Sequence, residues 1–103
     1  MPWFKVDDGL HAHPKSRAAG PAALGLWVIT GSYSMAYKLD GFAPEWFVET
    51  WPRGKKLAEQ LVKSGLWEAA EMNGTPGWRF HDWLDYQPSA EDIEADRAAS
   101  RER

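Results

Sequence analysis

Cysteine is absent from the 103 residues, which excludes disulfides and thiolate zinc sites and fits a reducing interior. Long hydrophobic runs are absent as well. The longest, PAALGLWVIT, is ten residues, against the roughly 20 that a membrane-spanning helix needs. The first residues, MPWFKVDDGL, lack the charged n-region and apolar run of a secretory leader. Neither a leader nor a membrane span is therefore expected. An excess of positive charge is missing too. Twelve Lys and Arg stand against 15 Asp and Glu, a net charge of −3, which is not the footprint of a non-specific DNA coat protein. Catalytic signatures are equally scarce. There is no cysteine nucleophile, no Gly-x-Ser-x-Gly and no Gly-x-x-x-x-Gly-Lys; GLWVITGS has the glycines without the lysine. Asp7 and Asp8 adjoin, but neighbours on a strand point to opposite faces and would not act together. The reading is of a non-enzyme without a cofactor.

What the chain does have is apolar bulk: 44% hydrophobic residues, including seven tryptophans, enough for one packed core. Most of those indoles are expected as core anchors, with one or two left on the surface. Residues 1–87 carry nine basic and ten acidic side chains, whereas residues 88–103 carry three and five. The expected division is a folded domain over 1–87 and a solvated C-terminal helix or tail over 88–103.

Periodicity and turn residues suggest the elements. WFKVDD alternates and predicts a short edge strand. Pro14 suits a first helical turn, and Gly20 can close it. Pro21 opens a second helix, with Leu24, Trp27, Val28, Gly31 and Met35 on one side and Leu26, Ile29, Tyr33 and Tyr37 on the other, so this helix should be central and buried nearly all round. Gly25 and Gly31 within it predict the close approach of a neighbour. Asp40-Gly41 reads as a turn, and Pro44 opens a short helix that Pro52 stops. Residues 55–65 form a third helix with Leu57, Ala58, Leu61 and Val62 inward and Gly65 as its C-terminal cap. Two strands flank MNGTPG, whose Asn-Gly and Pro-Gly pairs are turn signals. Ser89 with Asp92 then caps a final helix. The order strand, helix, helix, helix, strand, turn, strand, helix is the winged helix-turn-helix plan. The expected fold class is α+β, mostly α: a winged helix-turn-helix with a C-terminal β-hairpin wing and an extra C-terminal helix.

Two constellations carry chemistry. On the 55–65 helix, Lys56, Gln60 and Lys63 recur at i, i+4 and i+7, beside Lys55 and after Arg53. Cations suit phosphates, and Gln60 suits the edge of adenine. The bland alternative is an ordinary solvated face in which Glu59 and Lys63 form an i, i+4 pair. The other constellation is His11, His13 and His81 with Asp82, a nominal donor set for a divalent ion that lacks any supporting helical spacing. A capping or packing role for His11 or His13, and an outward His81, fit better. No metal site is expected.

The segments MPWFKVDDGLHAHPK, AALGLWVITGSY, DGFAP, LVKSGLWE and GWRFHDWLDYQPSAEDI together resemble the amino-terminal region of a group of small proteins from actinobacterial phages and prophages. That group is described as helix-turn-helix or replication-initiator-like, similar to the winged-helix amino-terminal domains of phage replisome organisers. The likeness spans nearly the whole chain. It implies that Arg53 to Lys63 faces DNA and that Asn73, Gly74, Thr75, Pro76 and Gly77 form the wing tip. Longer members continue into a basic tail, where this chain reads RAASRER. The expected function is that of a phage or prophage winged-helix protein in the host bacterial cytoplasm, binding double-stranded DNA in replication initiation or transcriptional control. Lys55, Lys56, Gln60 and Lys63 would meet the major groove, with Arg53 and Lys15 or Arg17 on phosphates, and dimerisation would strengthen the grip. The alternative is a winged-helix module for a host or phage protein partner, favoured by the net acidity and the aromatic surplus.

Overall fold

A computed structural model of the protein describes residues 3–101. Within them the chain is α+β and mainly helical. A 3-10 turn (Leu10–Ala12) leads into α1 (Pro14–Ala36), followed by β1 (Phe42–Pro44), α2 (Glu45–Glu49), α3 (Gly54–Ser64), β2 (Trp67–Met72), β3 (Thr75–Phe80), α4 (Trp83–Tyr86) and α5 (Ala90–Arg101). The strands form one antiparallel sheet in the order β1-β3-β2. None of the helices is long and apolar enough to cross a membrane, among the described residues.

α1 is two helical segments joined at Gly20, whose φ of 84° and ψ of 164° are non-helical. Pro14 and Pro21 each open a segment, where the missing N–H has no helical partner to lose. The His13 ring caps the first segment, its Nδ1 accepting from the Lys15 N–H at 3.1 Å. Ala19, Ala23, Leu26, Thr30 and Ser34 recur every three or four residues and are buried. This stripe of mostly small side chains lets α3 pack closely through Leu57, Ala58 and Leu61. Burial all round the helix is not what the structure has. Val28 and Ile29 are exposed, because a helix laid against a small sheet and one partner helix has only one side to bury. Val62 on α3, expected inward, is exposed for the same reason.

The predicted N-terminal strand is absent. Residues 3–7 run without regular structure, and Lys5 pairs with a side chain where a strand would pair with a ladder. The Lys5 N–H donates to Gln87 Oε1 at 3.0 Å, and Gln87 Nε2 donates back to the Lys5 carbonyl at 2.7 Å. One amide thus supplies both bonds of a ladder rung, and the strap needs no neighbouring strand. The strand that does complete the sheet is β1, three residues that the sequence reading assigned to a turn and a helix start. Phe42, Ala43 and Pro44 pair with Arg79, Trp78 and Gly77.

The hairpin turn is tighter than the predicted wing tip. Only Asn73 (φ 51°) and Gly74 (φ 83°) form it, the two left-handed residues of a type I′ turn. Thr75, Pro76 and Gly77 belong to β3. β3 ends at Phe80, and Asp82 (φ 58°) precedes α4. Trp67 faces Phe80 across the ladder, and Trp78 stacks diagonally on Trp67 at 5.8 Å. The Ser89 cap forms as expected: Asp92 N–H donates to Ser89 Oγ and Ser89 N–H to Asp92 Oδ2. Residues 91–99 of α5 are exposed apart from Ile93, which joins the core, and the Ala90 N–H donates to Asp40 Oδ1 at 2.7 Å.

Two glycines give a paired test of this packing. A Cβ on Gly77 would collide with the Ala43 carbonyl oxygen across the β1–β3 ladder, whereas a Cβ on Gly25 meets nothing within 4 Å. Gly31 behaves like Gly77, its Cα lying directly under the Phe4 ring. Gly77→Ala is expected to lower unfolding stability by about 2–3 kcal/mol, and Gly25→Ala to raise it by about 0.5–1 kcal/mol through helix propensity. Urea unfolding followed by tryptophan fluorescence reads both; the same sign for the two would contradict the packing described.

Candidate nucleic-acid interface

The candidate interface begins at the turn between α2 and α3. α2 ends at Glu49, and the chain turns through Thr50–Arg53, with Trp51 N–H on the Val48 carbonyl and Gly54 N–H on the Trp51 carbonyl. Arg53 takes a left-handed conformation (φ 60°) to make the turn, which costs a non-glycine residue about 1 kcal/mol. Gly54 must follow, since a Cβ there would strike the Val48 carbonyl. The C-terminus of α3 closes on Gly65 (φ 88°), with the Gly65 and Leu66 N–H groups returning to the Val62 and Leu61 carbonyls. The helix is thus set between a tight turn and a glycine cap, with its outer face exposed.

On that face Arg53, Lys56, Glu59, Gln60 and Lys63 line one shallow groove. Gln60 and Lys63 also border a second, which runs on to Ala18 and Ala19 of α1. Lys55 is exposed beside them, and Arg17 is exposed next to Ala18. None of these cations forms an ion pair among the described residues; the pairs there are Lys38–Glu94, His81–Asp82 and Arg97–Glu94. Glu59 does not reach Lys63, so the ordinary i, i+4 pair is not made. The structure thus brings together Arg53, Lys56, Gln60 and Lys63, with Lys55 and Arg17 at the margins. Lys15 lies elsewhere, its side chain against Gly65 and beside a different cavity.

The hairpin contributes little positive charge. Asn73 and Gly74 are exposed at its tip, but Gly77 is buried. Its exposed charged residues on β2 are Glu68 and Glu71, while Arg79 is half-buried over the Phe42 ring at 5.9 Å. The three histidines have separate partners. His13 caps α1, His11 Nδ1 lies 3.0 Å from the Asp8 carbonyl, and His81 pairs with Asp82 at 2.9 Å. No cluster of three or more His, Cys, Asp or Glu suited to a metal occurs among the described residues.

A second surface was only partly foreseen. Tyr33 stacks on Phe47 at 3.9 Å, Tyr37 tilts against Tyr33 at 4.8 Å, and Trp46 and Trp51 make edge contacts with Phe47. Tyr37 is 65% and Trp46 57% exposed, so this ladder reaches solvent. Glu45 and Glu49 share the outer side of α2 with Trp46. The signal available in the sequence was the four-residue spacing of Tyr33 with Tyr37 and of Phe47 with Trp51; their meeting across two helices was not.

Compared with family models, curated proteins and solved structures, the chain matches none of them.

Burial, and then the neighbouring Tyr37, push the Tyr33 phenol above its ordinary value of 10.0. Because the folded state holds this proton more tightly than the unfolded chain, the contribution to stability is complete below about pH 10 and is lost as pH rises through the Tyr33 value. An absorbance titration of tyrosinate is expected to show one late component that Tyr33→Phe removes; loss of an early component in its place would contradict the arrangement of the ladder.

Proposed function

We propose that the protein is a winged-helix DNA-binding protein of a phage or prophage, working in the host cytoplasm in replication initiation or transcriptional control, without enzymatic activity. The observation that carries this reading is the outer face of α3, where Arg53, Lys56 and Lys63, without ion pairs among the described residues, share one groove with Gln60 and Glu59. The connectivity is compatible with it: a helix, a short strand, two helices joined by a tight turn and a hairpin, with the first strand beside the last, in the order a winged helix needs. The phage setting rests on the resemblance of segments such as MPWFKVDDGLHAHPK and GWRFHDWLDYQPSAEDI.

In this reading α3 enters the major groove. Lys56, Gln60 and Lys63 reach base edges or their flanking phosphates, with Lys55 beside them, while Arg53 and Arg17 hold the backbone. The hairpin adds no cation at its tip, and Glu68 and Glu71 oppose phosphate, so α3 supplies nearly all the affinity. A second copy on an adjacent half-site would raise it.

The aromatic ladder favours a second reading, a module for a protein partner. Tyr37, Trp46 and Trp51 are exposed together and are flanked by carboxylates that repel DNA. The two readings use different faces and separate cleanly by mutation.

Fluorescence anisotropy with labelled duplex DNA tests the first. Five cations neutralising five phosphates give a log–log salt slope near −4.5, so affinity is expected to fall roughly five-hundredfold between about 50 and 200 mM salt. Lys56→Glu combined with Lys63→Glu is expected to abolish binding, and Trp46→Ala to change it less than about twofold. No binding at low salt, or binding indifferent to the double change, would overturn the DNA reading.

A further inference from the structure

The aromatic rings fall into two populations. Trp67, Trp78, Phe80 and Trp83 are buried in the core, whereas Tyr37, Trp46 and Trp51 are 65%, 57% and 39% exposed. The exposed three are not scattered. In contact order the patch runs Tyr37, Tyr33, Phe47, Trp51, and Trp46 stands against the middle pair, its centroid 6.0 and 6.1 Å from theirs and its plane crossing both at 86° and 87°. Tyr33 and Phe47 turn their faces to one another, so the ring surface left for a partner belongs to Tyr37, Trp46 and Trp51. Contiguous exposed apolar surface of this kind marks interaction sites, as single exposed rings do not.

The carboxylates on the same short helix are not neutralised. Glu45 and Glu49 lie one turn apart on α2, and neither makes an ion pair among the described residues. The bases nearest in sequence are engaged elsewhere: Lys38 holds Glu94, and Arg53 lines the α3 groove. A partner that covered the rings with apolar groups alone would strip water from two carboxylates and leave them uncompensated. A phosphate would be repelled. A cation suits both halves of the surface, being attracted to an aromatic face and forming charge-assisted hydrogen bonds to a carboxylate. Guanidinium suits them best. It is planar, weakly hydrated and forked, so it stacks on a ring while its N–H groups reach a carboxylate.

We propose, resting on the protein-partner reading, that this surface docks an arginine-bearing segment of another protein, its guanidinium groups on the exposed rings of Trp46 and Tyr37 and their N–H forks on Glu45 and Glu49.

The test titrates the full chain with a capped peptide of alternating arginine and glycine, and with the same peptide carrying lysine, citrulline, leucine or glutamate in place of arginine. The tryptophan indole N–H resonances are the readout, assigned with Trp46→Phe and Trp51→Phe. The arginine peptide is expected to give saturable shifts at Trp46 and Trp51, with the core indoles of Trp67 and Trp78 unmoved. Lysine should bind several-fold more weakly, and citrulline, which keeps the shape without the charge, about tenfold more weakly or worse. Glu45→Gln combined with Glu49→Gln should weaken binding about tenfold, and Trp46→Ala about fivefold. Glu91→Gln with Asp96→Asn removes as much charge from α5 and should change nothing, which separates docking from the general attraction of a basic peptide to an acidic chain. Unaltered core indole resonances show that each variant is folded. Equal binding of the citrulline or leucine peptide at Trp46 would overturn the arginine assignment while leaving the protein-partner reading in place, and no shift of Trp46 or Trp51 with any of the peptides would overturn both. Indifference to the paired Glu45 and Glu49 change, or an equal loss from the α5 change, would also overturn the proposal.

Discussion

The fold depends on one aromatic interlock. Phe80 on β3 touches Trp67 across the ladder at 5.3 Å, Trp27 of α1 at 5.7 Å, Trp83 of α4 at 5.1 Å and Phe4 of the strap at 6.1 Å. A single ring therefore ties the sheet, the central helix, the last turn before α5 and the N-terminus together. Each such contact contributes about 0.5–1.5 kcal/mol beyond the area it buries. In a chain this short, with no disulfide to help, that concentration matters. The glycines follow from it. Gly31 must lack a side chain for Phe4 to lie on α1, and Gly41 must do so because Trp83 occupies the space its Cβ would take.

With the interlock holding the strap and the hairpin on one side of α1, α3 is left to present its polar side to solvent. The interior of α3 is tied to the small-residue stripe of α1, which turns its cations outward. The aromatic ladder of Tyr33, Tyr37, Trp46, Phe47 and Trp51 is different in kind. It is not part of the interlock, and it reaches solvent. The protein thus carries a basic polar face and an acidic aromatic face on adjacent helices, and the two suit chemically different partners.

Local chemistry was legible where one residue or one short spacing decides the outcome. Pro14 and Pro21 open helical segments, Gly65 closes α3, Asn73-Gly74 makes the hairpin turn, and Ser89 with Asp92 caps α5. The grouping of Lys56, Gln60 and Lys63 was legible for the same reason, because helical spacing alone puts them on one side. The strap was misread as a strand because alternation reports only that a segment is extended, not what satisfies its backbone. The three-residue β1 was missed because Phe42-Ala43-Pro44 is too short to carry a period and is strand only through its pairing with β3.

The amino-acid sequence by itself thus determined the extent of α3 to within a residue, its Gly65 cap, its outward cations and the Asn73-Gly74 turn, since each follows from steric preference or hydrogen bonding within a few residues. Tertiary structure alone decided which side of α1 is buried, that Gln87 replaces a strand beside Lys5, and that Lys15 leaves the α3 face. Those outcomes join residues as many as 82 positions apart, and long-range packing of that kind leaves no trace in local periodicity.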